Sequence, residues 1–68
     1  MTIVLNGEES EARAGETLAV VLERLGVSVD QRGVAVAVDG EVVPRARWRS
    51  FALAEEARVE VLTAMQGG

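Results

Sequence analysis

Two glycines, Gly67 and Gly68, close the sequence directly behind a strand-like run, and the α-carboxylate of Gly68 is the group best placed to react. Without Cβ atoms such an end fits a slot too narrow for any other residue and takes backbone angles closed to the rest. The expectation is that another protein modifies this terminus. Little else in the chain can do covalent chemistry. It has no cysteine and no histidine, hence no thiolate, no disulfide and none of the commonest general acid–base group. The hydroxyls of Thr2, Ser10, Thr17, Ser28, Ser50 and Thr63 have no basic partner to activate them. The chain is therefore expected not to be an enzyme by itself.

The elements that must present this end fit in 68 residues, one domain with a small core. Every basic residue is arginine, and the net charge is −4. An acidic chain with few aromatics offers neither a basic stripe nor a stacking platform, so no nucleic-acid partner is expected. No apolar run reaches the length of a membrane span, and Met1-Thr2-Ile3-Val4-Leu5 lacks the pattern of a signal peptide, so a soluble cytoplasmic protein is expected.

Ile3-Val4-Leu5 followed by Asn6-Gly7 reads as a strand entering a type I′ hairpin turn. Glu8 to Arg13 returns as a polar edge strand, its glutamates, with Glu16, forming an exposed guard of charge. Thr17 is placed to cap a helix through Leu25, with Leu18, Val21, Leu22 and Leu25 on one face and Gly26 ending it in a left-handed conformation. After a loop to Gly33, Val34–Val38 reads as a strand, Asp39-Gly40 as a second hairpin turn and Glu41-Val42-Val43 as the returning strand, stopped by Pro44. Arg45 to Leu53 is irregular with one short helical turn, and Trp48 is expected in a satellite cluster beneath it. Arg58–Thr63 alternates as the last strand. The pattern predicts an α+β fold: a mixed sheet of four to five strands with one main helix packed across one face. The helix stripe should meet Ile3, Leu5, Val36, Val38, Val59 and Val61. Alternation then turns Val4, Ala35, Ala37 and Leu62 to the open face as a docking patch. Residues 1–63 form the domain, and 64–68 a flexible tail reaching up to roughly 17 Å when extended.

Several segments together resemble one family. They are Asn6 after the first strand, Ala14-Gly15-Glu16-Thr17-Leu18 opening the helix, the run Ala37-Val38-Asp39-Gly40-Glu41-Val42-Val43-Pro44-Arg45, then Trp48, then Gly67-Gly68. Over nearly the whole chain they resemble the ThiS family, β-grasp ubiquitin-like sulfur carriers of thiamin thiazole biosynthesis. Where such chains often carry Gly-Asp before the last strand, this one has Glu56-Ala57.

The resemblance implies a route. An adenylating enzyme of the ThiF type uses Mg-ATP to form an acyl-adenylate on Gly68. Sulfur from a persulfide or sulfide source then displaces AMP to give a thiocarboxylate, and thiazole synthase receives the sulfur. Gly67 would belong with Gly68 to the reactive terminus, Met65 and Gln66 would contact the partner's slot, and no cofactor would be bound stably. The free protein is expected to be monomeric. Other readings of the same terminus are a carrier for molybdopterin or cysteine synthesis, or a ubiquitin-like modifier that joins Gly68 to a lysine. A plain binding module would not need the glycines at all.

Overall fold

A computed structural model describes residues 1–64. Five strands and one α-helix follow in the order β1 (Thr2–Leu5), β2 (Glu8–Glu11), α1 (Leu18–Arg24), β3 (Val34–Val38), β4 (Glu41–Val42) and β5 (Arg58–Thr63), with a 3₁₀ turn at Arg45–Arg47. They form one sheet of order β2-β1-β5-β3-β4. β1 and β5 are parallel, and the remaining neighbours are antiparallel. This is the β-grasp arrangement, with β5, the last strand among the described residues, at the centre of the sheet.

Both hairpins form through their turn residues. Asn6 and Gly7 have φ 48 and 85, and Asp39 and Gly40 have φ 51 and 85, the left-handed pairs a type I′ turn requires. The polar strand β2 lies at the sheet edge with Glu8, Glu9 and Glu11 exposed. Edge carboxylates there discourage pairing with another chain.

The helix ends as its sequence dictates. Gly26, at φ 81, donates its N–H to Glu23 O (3.0 Å), and Val27 donates to Leu22 O (2.9 Å). These are the two bonds of a Schellman cap, and Leu22 and Val27 are both buried beside it. Leu18, Ala19, Val21 and Leu22 are the buried residues of the helix. They pack with Ile3, Val36, Val38 and Val59 from the sheet, and Leu5 and Val61 lie partly buried against this core.

Four local expectations need correction. Leu25 is not on the buried stripe but 44% exposed. It is the C-cap, at φ −84 and ψ 0, so the backbone has already left the helical path and turns the side chain off the core face. Thr17 sits at the N-cap, yet its side chain makes no capping bond. Phe51 and Trp48 supply the acceptors instead: Leu18 N–H donates to Phe51 O and Ala19 N–H to Trp48 O, both at 2.9 Å. Trp48 is no satellite. It is 1% exposed within the main core, and its indole N–H donates to Val43 O at 2.9 Å. Glu16 is not part of the exposed guard. Its side chain retains 7% exposure and bonds the Arg24 guanidinium at 2.7 Å, tying the approach to the helix onto its last turn.

One local strain has no compensation in view. Glu56, exposed in the turn before β5, has φ 65. Ala57 N–H closes that turn on Ala54 O at 3.1 Å, which puts Glu56 at the position where a type II turn calls for glycine. Glu56→Gly is expected to raise stability by about 0.5–1 kcal/mol, the left-handed cost outweighing the added freedom of the unfolded chain. Denaturant midpoints of the two proteins check this, and a lower midpoint in the variant would refute it.

Candidate functional site

The helix covers one face of the sheet, and strand alternation sends every second residue to the other face. Register shows what meets there. Leu62 on β5 lies opposite Ala35 on β3, and Ala37 lies between Glu60 on β5 and Val42 on β4. On the other flank Val4 of β1 is aligned with Arg58. Leu62 is 71% exposed, Ala35 is exposed, and Val4 and Ala37 are half-buried. The four residues expected as a docking patch therefore share the open face.

The patch differs from its expected form in two ways. Val42, 76% exposed, extends it onto the edge strand beside Ala37. Alternation within Glu41-Val42-Val43 carries that signal, because Val43 is buried and its neighbour must point away. The patch is also not continuous, since Arg58 and Glu60 on β5 stand between Val4 and Ala37. The result is an apolar surface of short side chains with one cation and one anion set into its middle strand.

Leu62 is the hinge of this surface. A shallow groove on one side of it is lined by Val4, Asn6, Gly7, Arg58 and Glu60. A second, on the other side, is lined by Gly33, Val34, Ala35, Thr63 and Ala64. The second follows the end of β5, where Thr63 pairs with Val34 and Ala64 N–H donates to Gly33 O at 2.6 Å. The chain toward residue 68 thus leaves beside Leu62, at the end of the sheet that also carries the Asn6-Gly7 turn. Met65, Gln66, Gly67 and Gly68 lie outside the described residues.

Two arginines of the loop after β4, Arg45 and Arg47, have partners within the chain. The Arg45 guanidinium lies 4.7 Å from the centre of the Trp48 ring and donates to the Val29 carbonyl. Arg47 lies 5.6 Å from the Phe51 ring centre. Both cover aromatic surface with their cations, an arrangement that stabilises the loop. Among the described residues no group of three acidic, histidine or cysteine side chains could hold a metal ion, and no helix is long and apolar enough to cross a membrane. What this surface can do chemically is bind another apolar surface next to an emerging strand.

Comparison with known proteins gives concordant results. A family model described as the ThiS family matches residues 3–68. The sulfur carrier protein ThiS of Escherichia coli (strain K12) is 30% identical over 70 residues, covering 100% of both chains. A thiazole synthase of Paramagnetospirillum magneticum (strain ATCC 700264 / AMB-1) is 35% identical over 68 residues. That match takes in 100% of this chain and spans only 20% of the synthase. Among solved structures, the crystal structure of the thiamine biosynthesis protein ThiS from Geobacter metallireducens superposes with a TM-score of 0.80 at 27% identity, over 100% of both chains. A solution structure of a thiamine biosynthesis protein from the same organism gives 0.75 at 28% identity, over 100% of this chain and 88% of the other.

Proposed function

The chain belongs to the ThiS family, and from that membership we propose that it is a sulfur carrier in thiamin biosynthesis, activated at the carboxylate of Gly68. The observation that carries this reading is the extent of the family match, which runs through residue 68 and so includes Gly67 and Gly68. The E. coli sulfur carrier, matched along its whole length, supports the same role.

The chemistry follows from the group. A carboxylate is ionised at neutral pH and is a poor electrophile. An oxygen of the Gly68 carboxylate attacks the α-phosphorus of ATP in an adenylating partner of the ThiF type, and pyrophosphate leaves. The partner's metal ion and cationic groups neutralise the charge that develops on the phosphate. The resulting acyl-adenylate has AMP as a good leaving group. Sulfide attacking the carbonyl carbon expels AMP and gives the thiocarboxylate directly. A persulfide gives an acyl disulfide, which a thiol must then cleave. This chain has no cysteine, so both the sulfur and that thiol come from other proteins. The chain is a co-substrate and holds no cofactor of its own.

Thiazole synthase is the acceptor. A protein of that name contains a segment similar to this entire chain, which supports recognition between carrier and synthase. The open face built on Val4, Ala35, Ala37 and Leu62 docks the partners, while Met65, Gln66 and Gly67 enter the slot ahead of Gly68.

Incubation with Mg-ATP, sulfide and the cognate adenylating enzyme tests the proposal by intact mass. The protein is expected to gain the difference between sulfur and oxygen at its C-terminus and to become reactive toward thiol-specific reagents. A product joined to a lysine, or no change, would overturn the reading. In the same assay Leu62→Asp is expected to stay folded, since Leu62 is largely exposed, and to lower adenylation efficiency about tenfold or more by placing a charge in the docking face. Unchanged kinetics would remove the face from the account.

A further inference from the structure

Two hydrogen bonds on β5 come from side chains rather than from a neighbouring strand. In the parallel ladder between β1 and β5, Val4 N–H donates to Ala57 O at 2.9 Å and Asn6 N–H to Val59 O at 2.8 Å. The next rung of a parallel ladder would run from Val61 N–H to the Asn6 carbonyl. Asn6, at φ 48, has already entered the turn, and its Oδ1 accepts the bond instead, at 2.8 Å across 55 residues of sequence. The second hairpin repeats the device at the other end of the strand. Asp39, at φ 51, donates its N–H to Arg58 O at 2.8 Å, and its Oδ1 accepts Arg58 N–H at 3.0 Å.

Glycine would serve either turn at least as well, because φ near 50° suits it without strain. What Asn6 adds is an acceptor. It pins Val61 at the last point where β5 is held from both sides, since β1 ends at Leu5 and the bonds beyond Val61 run to β3 and Gly33. We infer that Asn6 is a positioning residue for the chemistry at Gly68: its bond to Val61 braces β5 from the β1 side at the last such point before the strand, held beyond there by β3 and Gly33, leaves the sheet beside the docking face. The inference rests on the reading of Gly68 as the activated carboxylate. Asp39 pins the far end of the same strand and has no such role.

Two substitutions at one position separate the pin from the turn. Asn6→Gly keeps the turn and removes the acceptor, whereas Asn6→Asp keeps both. Hydrogen exchange on the free protein is expected to show the Val61 amide exchanging about tenfold faster in Asn6→Gly, the loss of one hydrogen bond. The Glu60 amide, on the β3 side of the strand, should keep its rate, and Asn6→Asp should match the parent throughout. In adenylation with Mg-ATP and the cognate enzyme, Asn6→Gly is expected to raise KM for the carrier roughly three- to tenfold with kcat little changed, because a less ordered exit must be fixed on binding. Asn6→Asp restores KM. Asp39→Gly speeds exchange at Arg58 and leaves KM alone. Unaltered Val61 exchange in Asn6→Gly would abolish the pin. Faster exchange with unaltered KM, or an equal rise in KM for Asp39→Gly, would abolish the positioning role. If the parent protein is not adenylated at all, that role falls together with the functional reading, and the exchange data alone decide the pin.

Discussion

Trp48→Ala is expected to leave the protein largely unfolded at room temperature. Truncating a buried tryptophan costs about 3–5 kcal/mol through lost contacts and the cavity left behind. A single core in a chain of this size supplies only about 3–5 kcal/mol in all. Trp48 is among the largest fully buried side chains of the core. It also joins three parts of the fold. Its indole N–H satisfies Val43 O, its own carbonyl accepts the Ala19 N–H at the start of the helix, and its ring carries the Arg45 guanidinium. Removing the ring frees the loop that caps the helix. Trp48→Phe should be milder, costing about 1–3 kcal/mol, because the ring volume is mostly kept while the buried Val43 carbonyl loses its donor. Far-UV circular dichroism against denaturant reads both variants, since neither retains the tryptophan for fluorescence. A cooperative transition for Trp48→Ala within about 1 kcal/mol of the parent would mean that the loop folds over a cluster separate from the main core.

Removal of Gly67 and Gly68 is expected to give the opposite pattern: an unaltered fold and an inactive carrier. The described hydrogen bonds and core of the domain end at Ala64, so the melting temperature should not change. The shortened chain still ends in a carboxylate, now on Gln66, but drawn back by up to roughly 7 Å. A misplacement of about 1 Å can cost a factor of about 100 in rate, so conversion to the acyl-adenylate should fall below detection. Gln66 also brings a Cβ to the place where the proposed slot would receive glycine. Radiolabelled ATP–pyrophosphate exchange, alongside thermal melting, measures the two properties in one preparation. A shortened protein that still exchanged pyrophosphate or still yielded thiocarboxylate would show that the reactive carboxylate is not that of Gly68.

The residues most legible in the sequence are those whose structural reasons are local. Asn6-Gly7 and Asp39-Gly40 specify their turns because few residue pairs tolerate two consecutive left-handed conformations. Gly26 specifies the helix end for a related reason. Alternation places Val4, Ala35, Ala37 and Leu62 on one face because the strand repeat is two residues wherever the strand runs. Val42 obeys the same rule and was legible in principle. Leu25 misleads because a helical repeat is extrapolated one residue past the point where the cap ends it.

Sequence alone determined that this is a β-grasp chain without cysteine, histidine or lysine, with two type I′ hairpins, one short helix and a glycine pair inside the family match. The β-grasp assignment rests on the family resemblance of segments along the whole chain, and the other features rest on composition or on neighbours a few residues apart. Only the tertiary structure decided that Trp48 enters the main core, that Glu16 withdraws from the acidic edge to pair with Arg24, and that Arg58 and Glu60 divide the apolar residues of the open face. It alone showed side chains from both turns holding β5. These contacts join groups far apart in the chain, 55 residues in the case of Asn6 and Val61. Their formation depends on which strands become neighbours, and that is set by the sum of core burial over the whole domain rather than by any one segment's preference.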